Sequence, residues 1–194
     1  MDTEFEEQGR KPHLLLHSCC GPCSSAVIER LMPDYRITVF YHNPCITDRD
    51  EYEKRKENQI LLIDRMNESL PPEDRIDFVE GDYVPETYLE LVRGLEQEPE
   101  GGARCTVCFR ERLRDTAEYA KEHGFSLFTT TLTVSPHKNY PLISSIGKEE
   151  AERAGVQFLD MDFKKKDGFH RSVVLSKQYG LYRQNYCGCG FSKR

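Results

Sequence analysis

The chain has 194 residues, 31% of them charged, and a formal net charge of −6. That length suits one domain with a core large enough to hold without disulfide staples. No stretch is long and apolar enough to span a bilayer, and the opening MDTEFEEQGRK is acidic rather than a secretory signal, so a soluble, cytoplasmic protein with no membrane partner is expected.

Residues 1–11 read as an acidic, flexible N-terminus, and 12–194 as a single domain. HLLLH, from His13 to His17, is a short apolar run of buried-strand type, and a helix is predicted from Ser24 to Met32 just after a cysteine turn. The alternation then repeats. Arg36 to Tyr41 is β-branched and aromatic, Asn43-Pro44 marks a turn, and a long charged amphipathic helix is predicted from Arg49 to Glu68. Ile76 to Glu80 makes a third strand, a short helix follows around Glu86 to Arg93, and EQEPEGG is a loop. Cys105 to His123 reads as helix, Ser126 to Leu132 as strand, Gly147 to Ala154 as helix and Val156 to Leu159 as a fifth strand. Strands alternating with helices imply right-handed crossovers, hence an α/β class: a Rossmann-like, mostly parallel sheet with helices on both faces. Ligands in such sheets bind beyond the carboxyl ends of the strands, and the cysteine turn lies at one of those ends.

Eight cysteines in a reducing compartment point to metal or redox chemistry rather than to a disulfide framework. They fall into four groups: Cys19-Cys20 with Cys23, Cys45 alone, Cys105 with Cys108, and Cys187 with Cys189. Two thiols from the first turn and two from the CxxC at a helix start make a four-thiolate set, a ligand count shared by iron–sulfur clusters and structural zinc, but adjacent sulfurs in a turn can reach different irons of one cluster and match a single zinc ion less well. The helix N-terminus, with Arg104 and Arg110 nearby, is expected to favour thiolates at the CxxC. Cys187-Gly188-Cys189 is different, because a disulfide across one residue closes a strained, easily reduced ring. Such a pair is either a two-electron reservoir or a further source of metal ligands.

From Lys164 to Arg194 eight basic residues stand against Asp167 alone, so this segment carries +7 and the remainder −13. Lys164, Lys165, Lys166, Arg171, Lys177 and Arg183 interleave with Phe169, Tyr179, Tyr182, Tyr186 and Phe191, a pattern that suits RNA phosphates and unpaired bases, or simply a solvated amphipathic end.

Together the segments LLLHSCCGPCSS, FYHNPCITDRDEYEKR, EGDYVPE, PEGGARCTVCFRERLRDTAEYA, FTTTLTVSPHKN, FKKKDGFHR and YRQNYCGCGFS resemble the QueH family of epoxyqueuosine reductases across nearly the whole chain. The resemblance implies the last step of queuosine formation in transfer RNA: two-electron removal of an epoxide oxygen, as water, from a base at the wobble position. It also implies an iron–sulfur cofactor, of 4Fe–4S type, and an electron donor whose identity the sequence leaves open. On this basis Cys19, Cys20, Cys105 and Cys108 match the family's cluster ligands, and Cys187 with Cys189 its redox-active pair. Cys23 becomes a candidate ligand of an additional iron ion, with Asp82 and a C-terminal thiol, and the basic residues named above become tRNA contacts. His17, Tyr83, His137, His170 and Tyr186 are candidate proton donors by chemistry alone. One position departs: where the family usually reads Asn-Pro-Asn-Ile, this chain has Asn43-Pro44-Cys45-Ile46, and packing is the expected role of Cys45. Two other classes stay open, an ATP-dependent tRNA sulfur-transfer enzyme and a non-catalytic, zinc-stabilised nucleic-acid-binding module. The first turn lacks the glycine run that would cradle a nucleotide's phosphates.

Overall fold

The computed structural model describes residues 11–193. The expected acidic N-terminus lies outside the described residues except for Lys11, whose ammonium pairs with Asp74 at 2.8 Å. Five parallel strands, β1 (His13–Ser18), β2 (Arg36–Tyr41), β3 (Asp77–Glu80), β4 (Leu127–Thr130) and β5 (Gln157–Phe158), stand in the order β3-β2-β1-β4-β5. The helices are α1 (Gly21–Leu31), α2 (Arg49–Asn67), α3 (Pro85–Leu91), α4 (Ala103–Glu122), α5 (Tyr140–Ala154) and α6 (Gly168–Gln178). The Rossmann-like α/β reading is thereby met in a single domain.

The central position of β1 explains its composition. Leu14, Leu15 and Leu16 are fully buried because both faces of a parallel sheet are covered. Leu14 and Leu16 face one core, shared with α1, α2 and Phe163. Leu15 faces the other, with Phe109, Leu113, Ala117, Ile143 and Ile146 from α4 and α5. The chain builds outward from β1 to β3, then returns to the other side of β1 with β4. The strand order therefore reverses between β1 and β4, the crevice where sheets of this class hold ligands.

Several boundaries differ from the sequence reading by a residue or two, and four differences bear on the site. The first helix starts at Gly21 rather than Ser24, which places Cys23 inside its first turn. The fourth strand stops at Thr130, whose hydroxyl accepts the Leu132 N–H and turns the next residues into a short 3-10 helix, Thr131–Val134. The fifth helix begins at Tyr140, seven residues before Gly147, because Asn139 caps it by accepting from the Leu142 N–H and Pro141 fits its first turn. The basic tail contains a helix of its own, α6, packed against α1. The tail is thus part of the main body rather than an appended arm.

Candidate active site

Cys19 and Cys20 are the two residues between the central strand and its helix, with Cys20 as N-cap. Gly21 is required for close approach, since a Cβ there would come to 2.8 Å of the Asn58 carbonyl oxygen. The α2 backbone thus approaches at the position where nucleotide-binding sheets admit a phosphate. The Sγ atoms of Cys19, Cys20 and Cys23 lie within 4.8 Å of one another, and those of Cys19 and Cys20 are 3.8 Å apart. Donation from the Cys20 and Cys23 thiols holds Cys19 well below the ordinary thiol range. The bond to Cys19 pushes Cys20 up to about 12, and bonds to Cys19 and Cys20 raise Cys23. One thiolate sharing two neighbouring protons is a donor set that a metal ion can take over by displacing them.

The switch point closes over this triad from both sides. On the β4 side, the Thr131 hydroxyl accepts from the Cys19 N–H at 3.4 Å and stands 3.6 Å from its Sγ. Beneath, His17 is fully buried, its Nε2 bonded to the His42 carbonyl at 3.0 Å and its Nδ1 to the Thr130 hydroxyl at 2.9 Å. Burial, then the positive charge of Arg112, lowers His17 to about 3. His17 is therefore a neutral structural residue and not a proton donor near neutral pH.

Five more thiols line an adjoining cavity: Cys45, Cys105, Cys108, Cys187 and Cys189. Cys105 and Cys108 come from the first turns of α4; Cys105 packs into the same apolar face as Cys19 and Cys20, while Cys108 packs with Cys45 and Cys189. Cys108 donates to Cys45, which lowers Cys45 to about 6 and raises Cys108 itself. Neither of the expected cations bonds a CxxC thiol, although Arg104 borders the cavity. Arg104 turns onto the carbonyls of Leu95, Glu96 and Glu98, and Arg110 pairs with Glu149 and Glu150 on α5. Arg112 takes that place instead: it is 2% exposed and donates to the Cys108 Sγ at 3.2 Å. Four residues after Cys108, it shares that residue's helical face, a spacing legible in the sequence. Burial would pull Arg112 down, yet the surrounding thiols, Cys108 and Cys45 foremost, outweigh it and hold the guanidinium charged. Lys138, on the cavity wall, is held up against burial in the same way by Cys187, Cys19 and Cys23.

The C-terminal segment reaches the site as a strap across α2. Tyr182 N–H donates to Asn58, Gln184 Nε2 donates to the Cys20 Sγ at 3.0 Å, and Arg55 holds the carbonyls of Tyr186 and Cys187. All eight cysteines are unpaired thiols. Asp82 is exposed in the loop after β3 and stands outside the triad formed by Cys23. Of the remaining proton-donor candidates, Tyr83 donates to the Ile46 carbonyl, Tyr186 lies under Arg55, His170 is exposed on α6, and His137 lines the cavity.

The basic residues divide by their partners. Lys164 is half-buried, its Nζ bonded to the carbonyls of Thr133 and Lys138 and paired with Asp162. Arg171 holds Glu29 with two bonds, at 2.8 and 2.6 Å, and Arg183 donates to Ser172 and Ser176. Lys165, Lys166 and Lys177 are exposed. Lys165, Lys166 and Arg171 line a groove with Arg30 of α1, a residue the sequence reading did not single out because it lies far from the tail in the chain.

Fold and site together define a Rossmann-like protein in which thiols able to hold a metal ion occupy the crevice at the switch point. The family model described as "Epoxyqueuosine reductase QueH" matches residues 14–194. A relative of that name from Streptococcus pyogenes is 41% identical over 194 residues, covering 100% of this chain and 75% of its own. Others of the same name are 37% identical in Staphylococcus epidermidis (98% of this chain, 80% of the relative) and 38% identical in Haemophilus influenzae (93% and 71%). The chain belongs to the QueH family of epoxyqueuosine reductases.

Proposed function

We propose that the chain reduces epoxyqueuosine in tRNA to queuosine with an iron–sulfur cluster held by Cys19, Cys20, Cys105 and Cys108. Family membership makes it an oxidoreductase with a tRNA substrate. The observation that carries the cofactor reading is the convergence of Cys19, Cys20 and Cys23 at the switch point, with the buried cation of Arg112 on the Cys108 sulfur of the adjoining cavity. Buried positive charge facing thiols fits an anionic metal–thiolate centre, because a buried guanidinium held only by thiol and carbonyl acceptors carries a charge that thiolates would balance. When bound, such a centre supplies single electrons and an oxygen-seeking iron. Cys23, the third thiol of the triad, is the candidate ligand for an additional iron; Asp82, the other candidate, is not among the side chains grouped with it.

Cys187 and Cys189 line the cavity and supply the pair of electrons. Two thiols become one disulfide and release two electrons and two protons. The epoxide takes up both, its two C–O bonds break, a carbon–carbon double bond forms and the oxygen leaves as water. Of the five proton-donor candidates, His137 is the one that borders the same cavity and is assigned to carry a proton. The groove of Arg30, Lys165, Lys166 and Arg171 offers the phosphate contacts, and the exposed Phe169 offers a stacking face.

The test is anaerobic purification with iron and sulfide analysis, a visible spectrum, and conversion of epoxyqueuosine-containing tRNA. Cys19→Ser and Cys105→Ser should each lose iron and visible absorbance while keeping the far-ultraviolet circular dichroism of the wild type. A folded, colourless, iron-free wild-type protein refutes the cluster.

A further inference from the structure

We propose that Cys45 is a third redox thiol serving the C-terminal pair: it opens the Cys187–Cys189 disulfide by exchange and stores the oxidised state as a Cys45–Cys189 disulfide. The inference rests on the redox reading of Cys187 and Cys189. Its own support is the seat on which the CGCG turn lies. Gly188 adopts φ 121°, and a Cβ added there would come to 2.9 Å of the Ile46 Cγ1. The Gly190 N–H donates to the Thr47 hydroxyl at 3.2 Å. Residues 188 and 190 are thus fixed against 46 and 47, which brings Cys189 alongside the segment that Cys45 begins. Cys45 and Cys189 are 1% and 6% exposed, pack into one buried group with Tyr88, and line the cavity that Cys187 also borders.

Exchange has a direction here. A disulfide across one residue closes a small strained ring, whereas one from Cys45 to Cys189 joins distant parts of the chain and carries no such constraint. The Cys45 thiolate attacks the Cys189 sulfur, the Cys187–Cys189 bond breaks, the Cys45–Cys189 bond forms, and Cys187 leaves as thiolate and takes up the proton Cys45 gave. No net oxidation occurs in this step, because the two electrons have already passed to the epoxide. Its consequence is that the half-buried Cys187 returns as a free thiol while the oxidising equivalent waits in the buried pair. Packing alone, the role expected of Cys45 from the sequence, requires none of this.

The experiment oxidises the anaerobic holoenzyme with diamide, alkylates free thiols with iodoacetamide and maps tryptic peptides by mass spectrometry. Residues 37–49 carry Cys45 as their sole cysteine, and residues 184–193 carry Cys187 and Cys189. The expected result is the cross-linked pair of these peptides, with fragmentation placing the bond at Cys189 and the alkyl group at Cys187. Cys187→Ser should keep the cross-link, and Cys45→Ser should lose it and retain the Cys187–Cys189 bond. Cys45 alkylated beside an intact Cys187–Cys189 disulfide in the wild type would overturn this inference and leave the redox pair standing. No disulfide at either Cys187 or Cys189 would overturn both, and a Cys45–Cys108 bond would overturn the inference. The decisive map is that of the wild-type chain, so it does not depend on a variant folding.

Discussion

Arg55 of α2 donates to the Cys187 carbonyl at 2.9 Å, across 132 positions of sequence, and so fixes the height of the C-terminal strap above the thiol cavity. The same guanidinium reaches the Tyr186 carbonyl and pairs with Glu51 at 2.6 Å, while its carbon chain is almost wholly buried. One side chain therefore satisfies two otherwise unpaired carbonyls and a carboxylate. The turn from Cys187 to Cys189 is positioned by a residue that precedes it by most of the chain.

Arg55→Met keeps the volume and removes all of these bonds. The expected cost is about 3 kcal/mol, since two carbonyls lose their donor and Glu51 is left with the Tyr182 hydroxyl. The loss should be local first: amide hydrogen exchange over residues 182–193 should rise well before that of β1. Unchanged exchange in the strap would show that Arg55 does not anchor it.

Arg112→Leu tests the electrostatic fit of the site. Without the guanidinium, the thiolates needed for a metal–thiolate centre lose the charge nearest Cys108, and iron bound per chain should fall several-fold. Arg112→Lys should recover part of the iron, because it restores charge but not the forked geometry. Iron content is read by colorimetric analysis of anaerobically purified protein. Wild-type iron in Arg112→Leu would assign the compensation to Lys138 instead.

Much of the layout was legible because periodicity and turn chemistry agree along the chain. The triple leucine of β1, the β-branched run of β2 and the cysteine turn after β1 locate the sheet and its crevice. What the sequence hid are choices made by tertiary contact. Gly147 looks like a helix start, yet Asn139 and Pro141 cap the helix seven residues earlier. Arg104 and Arg110 look like the cations of the CxxC, but loop carbonyls and two glutamates claim them, and Arg112 fills the role through its helical phase. Cys45 looks isolated until folding brings the ends of β2 and of the chain together.

The basic groove yields a prediction that separates residues the sequence treats alike. Replacing Arg30, Lys165 and Lys166 together by Gln should weaken tRNA binding and reduce the slope of log affinity against log salt by about 2 to 3. Lys164→Gln should instead lower stability, because its ammonium holds the Thr133 carbonyl beside the switch point. Filter binding across a salt series, with thermal melts of both variants, distinguishes the two. An unchanged slope in the triple variant would remove the groove from the tRNA interface.

His17 sets an acid limit on the fold. Its folded value of about 3 lies below the 6.5 of an unperturbed imidazole, so the unfolded chain binds this proton first as pH falls. The stabilisation from keeping His17 neutral is complete above about pH 6.5 and is lost progressively as pH drops toward 3, at roughly 1.4 kcal/mol for each pH unit within that window. His17→Gln retains a donor for the His42 carbonyl but does not titrate. Urea midpoints measured from pH 6.5 to 4.5 should therefore fall more steeply in the wild type than in the variant. In parallel, the His17 ring carbon shift should stay that of neutral imidazole to pH 4.5. Equal slopes in the two proteins, or a ring that protonates near pH 6, would show that the Thr130 and His42 contacts do not hold the neutral form.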